Sequence, residues 1–184
     1  MKLEQISDVS FGSVSKTGTK GRVPCLQVVN ITPEGDLDFD KTHYAVVKVD
    51  DDISLLHSNS IVLPAKGQKF SSALISTEHS NTFVASSSLF VIRVINSSII
   101  PKYLHWYLNR AKVKWQLESV AAGSNISSLS IKELRSLRIN VPELDIQKKI
   151  VELKEMQEKE LMLIQRLGQK RKKLIEAITK ELIQ

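Results

Sequence analysis

Cysteine, aromatic residues and long apolar runs are all scarce in this chain. Cys25 is the single cysteine, which excludes an internal disulfide and any zinc site built on a cysteine cluster. A reducing, cytoplasmic setting is expected. His43, His57, His79 and His105 follow no ligand spacing, so no metal and no cofactor is expected. No apolar stretch approaches the roughly 18–20 residues that cross a bilayer, so no membrane partner is expected. The opening MKLEQISDVSFG lacks the apolar core of a secretory signal.

Catalytic signatures are missing as well. There is no G-x-S-x-G nucleophile elbow. Lys16-Thr17 sits among glycines, yet Gly12 precedes Thr17 by only five residues and the Gly-Lys-Ser/Thr step of a phosphate loop is absent. Asp145, Glu152 and Lys154 imitate a nuclease carboxylate–lysine pattern, but on one helix Glu-x-Lys side chains point to different faces. No glycine-rich cofactor loop follows a strand. No catalytic residue is named, and the chain is not expected to be an enzyme.

What is present is a core and an uneven charge. Hydrophobic residues make up 42% of the chain, enough to bury a domain interior and too many for wholesale disorder. The first hundred residues carry 9 basic and 10 acidic side chains, the remaining 84 carry 17 and 10. Any contact of the first half with phosphate must then come from local clusters rather than bulk charge, with Asp50-Asp51-Asp52 facing away.

The pattern along the chain predicts an α+β fold: a mixed, β-rich globular domain over 1–142, followed by a long C-terminal coiled-coil helix over 143–184. Leu3–Val9 fits a short helix. Residues 23–31, 43–49 and 60–66 read as strands, and 82–95 as strand, polar break, strand. From Pro101, Tyr103, Leu104, Tyr107, Leu108, Ala111 and Trp115 recur at helical spacing to a stop near Gly123. Trp106 and Trp115 are expected in the core of that helix. Ser130-Ile131-Lys132-Glu133 has capping-box form and opens a short helix. LRINV (137–141) reads as a strand stopped by Pro142. From Glu143 one helix runs to the end, roughly 60 Å at 1.5 Å per residue. Its apolar stripe is Ile146, Ile150, Leu153, Leu161, Ile164, Leu167, Leu174, Ile178 and Leu182, with Gln157 and Arg171 as polar seam residues. A small domain cannot cover such a stripe, so a second helix is expected on it.

The segment SSLSIKELRSLRINVPELDIQKKIVEL, preceded by IIPKYLHWYLNRAKVKWQLESVAAGSNI, resembles the approach to the spacer of Type I restriction–modification specificity subunits. MKLEQISDVSFGSVSKTG, GRVPCLQVVNITPEGDL and SNSIVLPAKGQ resemble earlier segments of the same family, although Ser58-Asn59-Ser60 stands where a Gly-Asp pair is usual. The order of these pieces over essentially the whole chain carries the resemblance. It implies a non-catalytic protein that reads double-stranded DNA with one target-recognition domain and one helical spacer region, like half of a full subunit. It further implies a homodimer through the C-terminal helix. The target would be bipartite, with half-sites as inverted repeats if the dimer is symmetric. Methyltransferase and motor–nuclease (restriction) subunits would be the partners that supply the chemistry.

Two loops are the candidate DNA contacts. Lys16, Thr17, Lys20 and Arg22 lie on a glycine-bearing stretch; by themselves they describe a solvated hairpin, and the resemblance turns them toward phosphates and base edges. Lys66, Gln68, Lys69 and Ser71 form the second, with Gln68 chemically matched to adenine. Lys170–Lys173 reads as a solvated face, and Ser124 and Asn125 as turn chemistry or a phosphate contact. A structural adaptor, its coiled coil assembling a complex and its head binding protein, stands as the alternative, with an unrecognised enzyme behind it.

Overall fold

The computed structural model describes residues 1–14, 17–18, 23–40, 43–45, 54–122 and 127–183, with Thr17, Gly18 and Tyr44 described through their backbone alone. It divides into two compact units, Met1–Gln147 and Lys148–Gln184. The architecture is the α+β arrangement expected, with a long C-terminal helix.

Within the first unit the described strands are β1 (Ser7–Phe11), β2 (Thr17–Gly18), β3 (Val23–Leu26), β4 (His43–Ala45), β5 (Ile61–Pro64), β6 (Ala73–Leu74), β7 (Val84–Ala85) and β8 (Leu89–Val94). They make two four-stranded sheets, ordered β1-β8-β5-β6 and β2-β4-β3-β7. The first is antiparallel throughout, with Val9 opposite Ile92 and Ile61 opposite Ile92 on the other side. In the second, β3 runs parallel to β7, pairing Cys25 with Val84 and Leu26 with Ala85. IVLP and LFVIRV are nearly continuous apolar runs because β5 and β8 are interior strands covered on both faces. Leu26, Leu56, Val62, Ile75, Phe83, Leu89 and Val91 share one core cluster; Val14, Cys25, Ala45 and Val84 form a second. Cys25 is fully buried, and burial pushes its thiol up to about 11, so the lone cysteine is an inert core residue.

The N-terminus departs from expectation. Only Leu3–Gln5 is helical, as a 3-10 turn, and Ser7–Phe11 is a strand. Leu3, Ile6 and Val9 fit a helical face, but Ser7 and Val9 also alternate inward around exposed Asp8. Pairing along the whole of β1, from Ser7 opposite Val94 to Phe11 opposite Phe90, decides for the strand. The expected strand over 137–141 is reduced to a single Lys2–Arg138 bridge. It is fixed by hydrogen bonds from Leu3 N to Leu137 O (2.9 Å) and from Ile139 N to Met1 O (2.8 Å). Strand 23–31 stops at Leu26 and turns into a 3-10 segment, Val28–Asn30. Residues 46–49 lie outside the described residues, as do Asp50–Asp52.

The helix from Pro101 is two helices, α1 (Pro101–Leu108) and α2 (Ala111–Ala122), with a break at Asn109. The break resets the helical phase. α1 buries Tyr103, Leu104 and Leu108, whereas α2 buries Val113, Leu117 and Ala121. Trp115 lies two residues from Val113 and from Leu117, on the opposite face, and is 68% exposed; it is not the core residue expected. Trp106 is half-buried, 5.5 Å from the Tyr103 ring and beneath the Arg110 guanidinium. Gly123, Ser124 and Asn125 lie outside the described residues. α3 (Ile131–Ser136) is capped as expected: Glu133 N donates to Ser130 Oγ (3.2 Å) and Ser130 N donates to Glu133 Oε2 (2.8 Å).

α4 (Leu144–Ile183) runs through Gly168 without interruption. Its first turn belongs to the first unit through Gln147, which is fully buried. The Gln147 side chain accepts from Ile100 N (2.9 Å) and donates to Ser98 O (2.8 Å) and Pro142 O (2.7 Å). In the second unit no described residue is buried. Lys154–Glu158 and Lys172–Glu176 pair at i,i+4, contacts that steady an isolated helix only slightly. Among the described residues no helix is long and apolar enough to cross a membrane.

Candidate nucleic-acid interface

Val14 and Ala65, which precede the two sequence-predicted segments, are held at one turn. β7 and β8 are joined by a tight turn, Ser86–Ser88, closed by Leu89 N donating to Ser86 O (3.0 Å). On one side this turn holds Val14: Val14 N donates to Ala85 O (3.2 Å) and Ser87 N to Val14 O (2.7 Å). On the other it holds Ala65, whose N–H donates to Ser88 O (2.9 Å). Val14 opens the segment leading to Lys16–Arg22, and Ala65 opens Lys66–Ser71. Gly12 allows this close approach, since a Cβ there would fall 2.2 Å from Ser86 O.

Lys16, Lys20 and Arg22 lie outside the described residues. The backbone of Thr17 sits in β2, the edge strand of its sheet, opposite Ala45.

The second loop is described in full. Lys66, Gly67, Gln68 and Lys69 are exposed, between buried Ala65 and Phe70. Gly67 takes φ +127°, a conformation closed to side-chain-bearing residues at low cost. Its N–H donates to Ser127 O (2.9 Å), while Leu129 N donates to Ala65 O (2.9 Å). The loop is thus pinned at its base and at Gly67, and Lys66, Gln68 and Lys69 project from a short fixed frame. Ser71 is placed differently. It is buried, and its hydroxyl donates to Pro33 O (2.8 Å) and accepts from Lys114 Nζ (3.1 Å). Ser71 therefore braces the loop from below.

Beside this loop runs a groove of about 330 Å³, with Val28, Ile31, Pro33 and Pro64 among its walls and Gln68 and Lys69 also lining it. Ammonium groups suit phosphate oxygens as point charges, and a carboxamide offers the paired donor and acceptor that match a base edge. Among the described residues no group of His, Cys, Asp and Glu is arranged to hold a metal ion. The wall residue Pro33 and the residues behind it, His105, Asn109 and Lys114, were not marked by any local pattern. Apart from the His105–Asn109 contact within the helix pair, their partners lie 33 to 81 positions away in sequence.

The family model described as the Type I restriction modification DNA specificity domain matches residues 3–169. The chain belongs to this family. Specificity-domain folds of the same kind appear among solved structures. The HsdS subunit from Thermoanaerobacter tengcongensis aligns with TM-score 0.63 at 13% identity, over 90% of this chain and 38% of that one. A chain from a structure on complex assembly and conformational transition of the type I R-M system gives 0.64 at 13%, over 90% and 39%. The S subunit of the type I system from M. genitalium gives 0.53 at 17%, over 83% and 37%. At these identities the likeness is one of fold. The chain spans less than two fifths of the length of each. No curated protein sequence matches it.

Of the expected pairing positions on α4, Ile146 is exposed within the first unit and Ile150 is half-buried. Leu153, Gln157, Leu161, Ile164, Leu167, Arg171, Leu174, Ile178 and Leu182 are all exposed in the second unit. The apolar belt is broader than the expected stripe, because Met156, Met162, Leu163 and Ile175 are exposed too.

Proposed function

We propose that this specificity-domain protein reads one half of a bipartite double-stranded DNA target and performs no chemistry of its own. Met1–Gln147 is the reader. Lys66, Gln68 and Lys69, with Lys16, Thr17, Lys20 and Arg22, supply the contacts, and Ser71 supports them. The reading rests on one observation above all: in a member of this family, Val14 and Ala65, the residues that precede the two basic segments, are bonded to the same turn after β7. A reader needs that arrangement, because base edges and flanking phosphates must be met together.

The second unit is the spacer. Two copies pair along α4, covering Leu153 to Leu182 and setting the distance between two readers. Methyltransferase and motor–nuclease subunits dock on the pair in the cytoplasm and supply the chemistry. The protein itself binds neither cofactor nor metal.

Selection of bound sequences from a random duplex library tests this directly. An inverted repeat with a fixed gap is expected, with affinity falling linearly on a log–log salt plot. A protein that retains no duplex, and instead captures only protein, is the adaptor and not the reader.

A further inference from the structure

The groove beside Gln68 is held open from behind by a polar cluster at the elbow between α1 and α2. Lys114 Nζ donates to Pro33 O (3.0 Å) and to Ser71 Oγ (3.1 Å), and Ser71 Oγ donates to Pro33 O (2.8 Å). Asn109 clamps the adjacent residue in the manner of a neighbouring strand. Its Oδ1 accepts from Ser72 N (2.9 Å) and its Nδ2 donates to Ser72 O (2.9 Å). His105 Nε2 lies 3.0 Å from Ser72 O and 3.2 Å from Gly35 O. Gly35 takes φ +97°, and a Cβ there would stand 2.5 Å from Asn109 Nδ2 and 2.7 Å from Ser72 O.

Pro33 and Ser71 are both groove-lining residues, and they come from segments far apart in the chain. Their own hydrogen bond joins them directly, and Lys114 and the Asn109 elbow brace that junction. The elbow is also where one continuous helix gives way to two, which frees the Asn109 side chain to turn toward Ser72. The cluster engages the two walls almost wholly through backbone carbonyls and N–H groups, so it fixes their separation whatever side chains they carry. Lys114 is half-buried and its ammonium is donated to two neutral acceptors of the groove walls, a placement that suits bracing.

We infer that Lys114 and Asn109 are positioning residues that set the sequence discrimination of the Lys66–Lys69 loop by holding both groove walls, without touching DNA. The inference rests on the reading of Met1–Gln147 as a DNA reader. A wall that drifts by an ångström still meets phosphates, which flexible lysines follow, but loses the bidentate geometry a base edge demands. Discrimination therefore falls before affinity for arbitrary duplex does.

The test uses the full chain, a duplex selected by the wild type and a scrambled duplex of equal length. Affinities for both are measured over a salt series for wild type, Lys114→Met, Lys114→Arg and Asn109→Ala. Lys114→Met and Asn109→Ala are expected to reduce the ratio of the two affinities about tenfold, the scale of one mismatched base pair. Scrambled-duplex affinity and salt slope stay at the wild-type value, and Lys114→Arg recovers most of the ratio. Equal weakening on both duplexes, with the Lys114→Met slope lower by about one, identifies a phosphate contact and overturns the inference. Unchanged ratios in folded Lys114→Met and Asn109→Ala overturn it as well. A wild type that binds no duplex at all overturns the DNA-reader reading itself, a different and recognisable result.

Discussion

The two units use apolar side chains in opposite ways. In Met1–Gln147 the large aliphatic residues are inside: Leu3, Ile6, Leu26, Leu63, Leu89 and Ile92 are all fully buried. In Lys148–Gln184 they are outside: Leu153, Leu161, Ile164, Leu167 and Leu174 each expose more than half of their surface. The first unit closes its sheets over its own core and holds its loops by backbone hydrogen bonds. The second has helix backbone bonds and weak i,i+4 ion pairs such as Lys154–Glu158 and Lys172–Glu176, and none of its described residues is buried. Single helices of this length gain little net stability in water without a packed face, and contiguous exposed apolar surface marks an interaction site. The difference teaches that one unit carries its own core, while the proposed pairing would supply the other with the cover it lacks.

The sharpest way to break that contrast is to charge the belt. Ile164→Asp with Leu167→Asp places two carboxylates at its centre. Four large side chains are removed from a paired interface, at roughly 1.5 kcal/mol or more each, so about 6 kcal/mol of association is lost. Sedimentation velocity is expected to show a dimer for the wild type and a monomer for the variant across the micromolar range. The thermal transition of the first unit stays in place. A wild type that sediments as a monomer removes the idea that a second copy covers α4.

Next in size is Gln147→Leu, at the point where α4 begins within the first unit. The side chain is fully buried and makes three hydrogen bonds to backbone groups. Leucine fits the volume but leaves Ile100 N, Ser98 O and Pro142 O without that partner. A loss of roughly 3 kcal/mol is expected in chemical denaturation, from buried groups left unsatisfied. A loss below about 1 kcal/mol would mean the amide is incidental to how the helix is started.

Much of this contrast is readable from residue order alone. β5 and β8 announce themselves as nearly continuous β-branched and apolar runs, and α3 by the Ser130–Glu133 box. α4 is legible from its stripe, since nothing in a 40-residue helix competes with helical spacing. The failures share a cause. Leu3–Val9 fits two periods, and the choice is made by β8, some eighty positions away. The break at Asn109 is stabilised by Ser72, so α2 changes phase and Trp115 turns outward without any local sign. The candidate site divides in the same manner. One glycine, Gly67, between lysines marks the Lys66–Lys69 loop, but a serine looks polar whether it is exposed or, like Ser71, buried as a brace. Lys114 looks like any surface lysine until Pro33 is brought beside it.

A pair of glycines makes the comparison quantitative, because the same substitution is expected to act with opposite sign in the two units. Gly35→Ala forces a Cβ into Asn109 and Ser72 at φ +97°, and roughly 2 kcal/mol of stability is lost through strain alone. Gly168→Ala adds a methyl where nothing lies within 4 Å, in the interior of α4, and helix propensity improves by about 1 kcal/mol. Thermal melts followed by circular dichroism check both. A destabilising Gly168→Ala would show that the glycine is needed for close approach of a partner helix, and would refine the belt rather than the helix.

The smallest expected effect is also the one with a pH signature. Hydrogen bonds from the Ser130 hydroxyl (2.7 Å) and then the Ser130 backbone N–H (2.8 Å) hold the Glu133 carboxyl below its ordinary value of 4.5. A carboxyl whose folded-state pKa is depressed binds its proton more readily in the unfolded chain, so stability rises with pH across the shifted range. The cap's contribution is complete above the ordinary value and is lost as pH falls through the lower, folded one. Ser130→Ala removes the hydroxyl that bonds both Glu133 N and its carboxylate, and about 1 kcal/mol is lost at neutral pH. The gap between wild type and variant is expected to hold from neutrality down to the ordinary carboxylate value and to narrow below it. In Glu133→Gln the carboxamide still reaches back to Ser130 but does not titrate, so removing the Ser130 hydroxyl from that variant leaves a gap that stays flat in acid. A wild-type gap that also stays flat below pH 4.5 would place the value of the cap in the Ser130 hydroxyl bond to the helix N-terminus, with the carboxylate contributing nothing.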